Sequence, residues 1–387
     1  MRFRPALRQL TTMASPAREP ERIAALDGVR GVAILLVLVM HGLYIGPFVE
    51  HAFLLSGYAR VACLGWCGVD VFFVLSGFLI TGILVRSKGG PGYFRNFYAR
   101  RTLRIFPLYY LVVALVLFVL PRPGLAPGAD VLPTSGDVAH LLYYQNWWFA
   151  LERADVAFPL KITWSLAIEE QFYLLWPALV ALVSTRALRA VCVAVILAAI
   201  ALRFWLLDQG FVNTHFLTPC RLDALALGAL LAVTPSPRAW LGYAATAAGV
   251  VGLLTTAFVG GESIPESVVQ QRWGLLAALS LGGGLLILAR QPTALQPLFR
   301  FSPLRSLGKY SYCIYLTHML VIEALVACLR AMGPQRLAAL SQTLSPLGVV
   351  IAFTLAAVCC SWLLAFVSYH AFERWFLGLK RHFPAGQ

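Results

Sequence analysis

Charged residues are scarce in this sequence: only 12% of its 387 residues are Asp, Glu, Lys or Arg, and the acidic ones number 17. An ordinary soluble domain carries about 25%, so the deficit excludes a water-soluble fold. No polar block is long enough to form a separate soluble domain either. The first 22 residues, MRFRPALRQLTTMASPAREPER, lack an apolar core, so this stretch is not expected to be a cleavable secretory signal. A completed metal set is missing as well. Cys63 and Cys67 in CLGWC share a helix face, but nothing nearby supplies the other ligands a metal needs. No metal is therefore expected.

What is present in their place is apolar sequence, 59% of the chain, with mean hydropathy +0.76. Runs long enough to cross a bilayer, about 20 residues each, recur from end to end. Ten spans are predicted, at about 29–47, 63–85, 105–121, 164–183, 187–207, 219–233, 239–258, 273–289, 310–329 and 347–368. The fold class is all-α, a polytopic membrane protein. Cys192, Cys313, Cys328, Cys359 and Cys360 fall within these spans and read as buried free thiols rather than bridges.

With the N-terminus inside, the cytoplasmic segments hold 21 of the 31 Lys and Arg residues, Arg189 at the mouth of its span included. Outward loops hold 7, and Arg30, Arg203 and Arg221 lie within spans. That asymmetry predicts both termini inside. It also accounts for the net charge of +14, because basic segments face anionic inner-leaflet lipid; nucleic acid is not an expected partner. Residues 1–22 read as a basic cytoplasmic tail, 23–376 as one membrane domain and 377–387 as a second cytoplasmic tail. The longest outward segment, about 122–163, runs from PRPGLAPGAD to YYQNWWF. It forms either a cover over the outer face or an interfacial aromatic belt.

The charges inside the spans carry the functional signal, since an ionisable side chain in the bilayer is expensive. Eleven residues separate Arg30 from His41 in RGVAILLVLVMH, a helical rise of roughly 16 Å that leaves both on one face. Asp70 in GVDVFF, Glu169 and Glu170 in WSLAIEEQFYLLWP, and Arg221 and Asp223 in RLDALALG reach a depth near that of His41. These groups are expected to face one another around a wet cavity. A second set gathers toward the cytoplasm: Arg30, then Arg100, Arg101 and Arg104 in YARRTLRIFPLYY, and His318 in SYCIYLTH. Ser311, Tyr315 and His318 share a helix face, and Glu373 follows the last span. Positive-inside anchoring alone would account for the arginine run, yet a guanidinium cluster is also what a phosphate-rich ligand requires.

Taken in order, LDGVRGVAILLVLVMHG, GVDVFFVLSGFLIT, RRTLRIFPLYY, WSLAIEEQFYLLWP, RLDALALGALL and LGKYSYCIYLTH resemble the motifs of the acyltransferase 3 family of integral-membrane O-acyltransferases. That family includes O-antigen and exopolysaccharide acetylases and macrolide acyltransferases. The resemblance covers residues 22 to about 376. Some members add a span and an external hydrolase-like domain; a chain ending at Gln387 is expected to work without one. The resemblance implies transfer of an acyl group, most commonly acetyl, from cytoplasmic acyl-CoA to a hydroxyl of a carbohydrate or glycosylated acceptor. It implies acyl-CoA as cosubstrate with no resident cofactor, and a place in the inner (cytoplasmic) membrane.

The residues fit that chemistry. A hydroxyl must lose its proton as it attacks a thioester, and imidazole titrates near working pH, so His41 is the expected general base. Glu170, Glu169 or Asp70 would orient its ring. Arg30, Arg101 and Arg104, with Arg100 and His318, would hold the CoA phosphates. Ser76 in LSGF is an alternative acyl carrier, but no base shares its helix face, and direct transfer is favoured. The rival reading is a proton-coupled transporter, since ionisable residues at two depths also describe a proton relay.

Overall fold

The computed structural model describes residues 18–43, 57–120, 135–152, 158–259, 267–333 and 343–384. Among them there is no strand, and ten long helices form the bundle: α1 (Arg18–His41), α2 (Cys67–Ser87), α3 (Tyr93–Ala114), α4 (Trp164–Leu182), α5 (Thr185–Asp208), α6 (Thr218–Val233), α7 (Ala239–Phe258), α8 (Leu275–Ala289), α9 (Ser302–Ala331) and α10 (Pro346–Ser368). Eight of the helical stretches are long and apolar enough to cross a membrane by themselves. The other two are α6, which has only 16 residues, and α4, where Glu169, Glu170 and Gln171 dilute the apolar run. Most of α6 is buried among its neighbours, whereas α4 keeps an exposed apolar face at Leu174, Leu175 and Leu182. The chain is an all-α, multi-pass membrane protein.

Two helix starts differ from the sequence reading, and both move functional residues. α1 begins at Arg18, eleven residues early, so Arg30 stands within the helix and His41 closes it. α9 begins at Ser302 with Pro303 in its first turn, where a missing N–H costs nothing. Arg305 and Lys309 therefore ride on the helix. Lys309 lies 4.9 Å from the ring centres of Tyr310 and Tyr369, a cation–π setting that accommodates charge beside an apolar bundle.

α1 packs against α9 and α2, while α6 packs against α2 and α5. Where they cross, glycine lets backbones touch. A Cβ at Gly308 would collide with the carbonyl of Asp27, and one at Gly77 with that of Leu225. Without a hydrophobic force between helices in lipid, such close contact supplies much of the packing energy. It also brings the polar residues of α1, α2, α6 and α9 within reach of one another.

All eight cysteines are free. Cys192 and Cys313 are buried as expected, but Cys328, Cys359 and Cys360 are exposed on the bundle surface. Their spans are apolar because they face lipid, which apolar sequence alone does not distinguish from burial in protein.

The late aromatics of the long outward segment pack onto the bundle. Gln145 and Asn146 are fully buried; Gln145 donates to the Thr163 carbonyl at 3.0 Å and Asn146 to the Phe216 carbonyl at 3.0 Å. Trp147 donates to Gln171 at 3.1 Å. The PRPGLAPGAD stretch lies outside the described residues.

Candidate active site

Two adjoining cavities of similar size occupy the bundle. One, about 820 Å³, is lined by Arg30 of α1, Arg101 and Arg104 of α3, Ser76 of α2 and Glu169 and Tyr173 of α4. The other, about 810 Å³, is lined by His41, Asp70, Arg221, Lys161, Trp164 and His215. Val69 and Tyr315 line both, so a single layer of side chains divides them. Tyr315 is pinned in that layer. Its hydroxyl donates to the Ile162 carbonyl at 3.0 Å and lies 2.6 Å from Ser165 Oγ.

Three guanidiniums and one carboxylate, Glu169, line the arginine cavity. Arg30 is tied locally to Asp27 at 3.2 Å and is about 30% exposed. Arg101 lies 5.4 Å from the Tyr173 ring centre. Ser76 hydrogen-bonds Tyr173 and sits in this cavity, away from His41. Arg100 is placed elsewhere, donating to the Lys380 carbonyl at 3.2 Å and the Phe383 carbonyl at 2.9 Å; it ties α3 to the C-terminal turns. Glu373 follows α10, where it accepts from Ser368 Oγ at 3.2 Å.

In the histidine cavity, His41 Nδ1 is 2.8 Å from the Val37 carbonyl. A carbonyl only accepts, so Nδ1 carries the proton and, in a neutral ring, Nε2 carries the lone pair. His318 follows the same logic. Its Nδ1 donates to the Tyr315 carbonyl at 2.7 Å, leaving its Nε2 as an acceptor 3.3 Å from His41 Nδ1. The two rings meet edge to face with centres 4.8 Å apart. His318 is thus a partner of His41 and stands apart from the arginines. Because α9 starts at Ser302, His318 is sixteen residues along it, roughly 24 Å from that end, instead of the twelve or so that a start at 310 implied.

Of the three candidate carboxylates, only Asp70 lines this cavity. It lies in the first turn of α2, near the positive end of that helix, and bonds Arg221 at 2.8 Å, both side chains 2% exposed. Arg221 lies 5.4 Å from the Phe73 ring centre and 5.9 Å from that of Trp164. Asp223 is placed behind, pairing with fully buried Arg203 at 2.7 Å and joining α6 to α5. Glu170 lines a third cavity of about 670 Å³, with Arg101, Tyr143 and Gln171. Adjacent residues on a helix point 100° apart, so Glu169 and Glu170 line different cavities, with Arg101 lining both.

Sequence reasoning did not single out His215 or Lys161. His215 precedes α6 and is 3% exposed. Burial first, then the positive charges of Arg221 and Lys161, push its imidazole down to about 3, so it stays neutral. Both residues arise in connections between spans, and their only sequence signal is position just before a span that carries intramembrane charge.

Residues 23–366 match the family model described as an acyltransferase domain. The chain is 30% identical to the peptidoglycan O-acetyltransferase OatA of Listeria monocytogenes over 92% of its own length and 58% of that protein's. It is 30% identical to the O-acetyltransferase OatA of Staphylococcus aureus, strain NCTC 8325, over 78% of this chain and 51% of the relative. With a protein of Bacillus subtilis named putative peptidoglycan O-acetyltransferase YrhL, identity is 32% over 78% and 48%. The chain therefore spans about half the length of these relatives. No solved structure matches it. The motifs read in order, the all-helical membrane fold and the match over nearly the whole chain agree, and the chain belongs to the acyltransferase 3 family.

Proposed function

We propose that this protein transfers an acetyl group from acetyl-CoA, bound from the cytoplasm, to a hydroxyl of a carbohydrate acceptor in the cell envelope, across the inner membrane. The observation that carries this reading is the pair of adjoining cavities, one rich in guanidinium and one lined by His41, with Val69 and Tyr315 lining both and His318 buried behind His41. The names of its relatives support acetyl as the group and a glycan as the acceptor.

Arg30, Arg101 and Arg104 have the charge and fork geometry to hold the CoA phosphates. The pantetheine arm would pass Tyr315 to bring the thioester into the histidine cavity. There the acceptor hydroxyl gives its proton to His41 Nε2 as its oxygen attacks the thioester carbon. The resulting imidazolium keeps its Nδ1–H toward His318 Nε2 and the Val37 carbonyl. His318 thus does the orienting work expected of a carboxylate, with a neutral acceptor in its place. When the tetrahedral intermediate collapses, the thiolate leaves and takes that proton. The ester and free CoA are the products, so atoms and charge balance.

The Asp70–Arg221 pair holds the cavity wall, and no acyl-serine is required, because Ser76 lies on the arginine side. The test is turnover by purified protein in detergent, given acetyl-CoA and glycan fragments. Product formed without any sealed compartment separates transferase from proton-coupled transporter. His41→Ala is expected to lower it by about a hundredfold or more while the protein still folds; turnover near that of wild type would remove His41 from the mechanism.

A further inference from the structure

The walls of the histidine cavity say more about the acceptor than its family does. Trp66, Trp164 and Phe216 line it, and such aromatic faces suit the apolar faces of a pyranose. Trp164 meets His215 and Phe216 edge-on, with ring centres 5.9 and 5.5 Å away. The polar groups between them are not balanced in charge. Arg221 and Asp70 cancel one another across 2.8 Å, and His215 is neutral, which leaves Lys161 as surplus positive charge.

Lys161 is held in place by its own turn. Leu160 is fully buried and Ile162 is 8% exposed, while the Ile162 carbonyl accepts from Tyr315. The Lys161 side chain itself is exposed and forms no ion pair among the described residues. Behind it, Arg221 Nε and Nη1 are buried without a hydrogen-bond partner, which is costly unless a ligand or water meets them.

We propose that this cavity selects an acceptor sugar bearing an anionic substituent, a carboxylate or a phosphate, which Lys161 engages at the mouth with the unpartnered Arg221 N–H donors behind it. The inference rests on the transfer reading above and names the acceptor class for that same site. An ion pair at a partly desolvated mouth contributes chiefly to acceptor affinity and selectivity. The chemistry of the thioester is untouched by it.

The experiment compares three acceptors, methyl α-glucoside, methyl α-galacturonide and glucose 1-phosphate, in acetyl transfer by the full chain in detergent. Isothermal titration with the same sugars reads binding where turnover is slow. Wild type is expected to prefer the two anionic sugars by about tenfold in KM or Kd. Lys161→Ala should bring all three within about twofold, Lys161→Arg should restore the preference, and kcat should hold throughout. A preference for one anion over the other identifies carboxylate or phosphate as the natural group.

Equal affinity for neutral and anionic sugars in wild type overturns the proposal, as does a Lys161→Ala loss shared equally by all three. Failure to bind any anionic sugar does the same. His41→Ala run in parallel keeps the two claims apart, since its activity bears on transfer alone.

Discussion

The two adjoining cavities use charge in opposite ways. In the arginine cavity three guanidiniums meet two carboxylates, Glu169 and the Asp27 that bonds Arg30, so one positive charge is left over for a ligand to meet. In the histidine cavity Asp70 and Arg221 neutralise each other in the inner wall at 2% exposure, the proposed base is an imidazole, and the one surplus charge, Lys161, stands at the mouth. Unbalanced charge beside an open cavity makes a binding surface. Balanced charge in a closed wall makes a scaffold, because a buried ion gains nothing it can spend on a substrate once its partner is fixed. The same residue types, Arg and Asp or Glu, are therefore expected to give different phenotypes in the two cavities.

The sharpest contrast should come from His41. A general base contributes about 10²- to 10⁴-fold, so His41→Ala should lower kcat by that much with no more than a small change in KM for acetyl-CoA. His318→Phe removes the acceptor for His41 Nδ1–H while Val37 remains. Its expected loss is smaller, on the order of tenfold in kcat, as for a single hydrogen bond to a charged group of about 1.5 kcal/mol. Steady-state kinetics on purified protein checks both. Equal losses would make the two imidazoles one catalytic unit.

The scaffold claim is tested by Asp70→Asn, which leaves Arg221 buried and uncompensated at a cost of about 3–5 kcal/mol. A large drop in thermal midpoint in detergent is expected, with much of it recovered when Arg221→Gln is added. If Asp70→Asn instead folded normally and lost only activity, Asp70 would belong with the catalytic groups and the contrast between the cavities would fail.

Much of this was legible in the sequence because charges in apolar spans cannot hide. Arg30, His41, Asp70 and Arg221 announced themselves by their cost, and their helices were placed correctly in kind and order. What the sequence hid was azimuth and register. Glu169 and Glu170 lie at one depth, yet a 100° turn sends them to different cavities. His318 appeared to belong with the arginines until α9 was seen to begin eight residues earlier than its apolar run. Arg100 looks like Arg101, but the C-terminal turn that takes its hydrogen bonds leaves no trace in the motif. Lys161 and His215 come from connections, where periodicity says nothing.

Arg104→Ala tests the binding surface. Its charge is expected to contribute to CoA phosphate affinity, so KM for acetyl-CoA should rise by about tenfold, one charge-assisted contact. The acceptor KM should stay unchanged, and the thermal midpoint should fall far less than for Asp70→Asn. An equal rise for both substrates would point to a folding defect.

The smallest effect is expected at the dividing layer itself. Tyr315→Phe keeps the ring between the cavities but removes the hydroxyl that bonds Ile162 and Ser165. Each such bond contributes about 1 kcal/mol, and Ser165 retains its own 3.3 Å bond to the Ile162 carbonyl. A loosened ring should ease passage of the thioester arm while holding it less well for attack. The two tendencies oppose, so turnover should change by only about threefold, about 0.7 kcal/mol in barrier. Tyr315→Trp separates them: a bulkier divider should block acetyl-CoA from reaching His41 while leaving its binding at the arginines intact. Acetyl-CoA titration against turnover measures that split, and a Tyr315→Trp variant with normal kcat would mean that the arm takes another route.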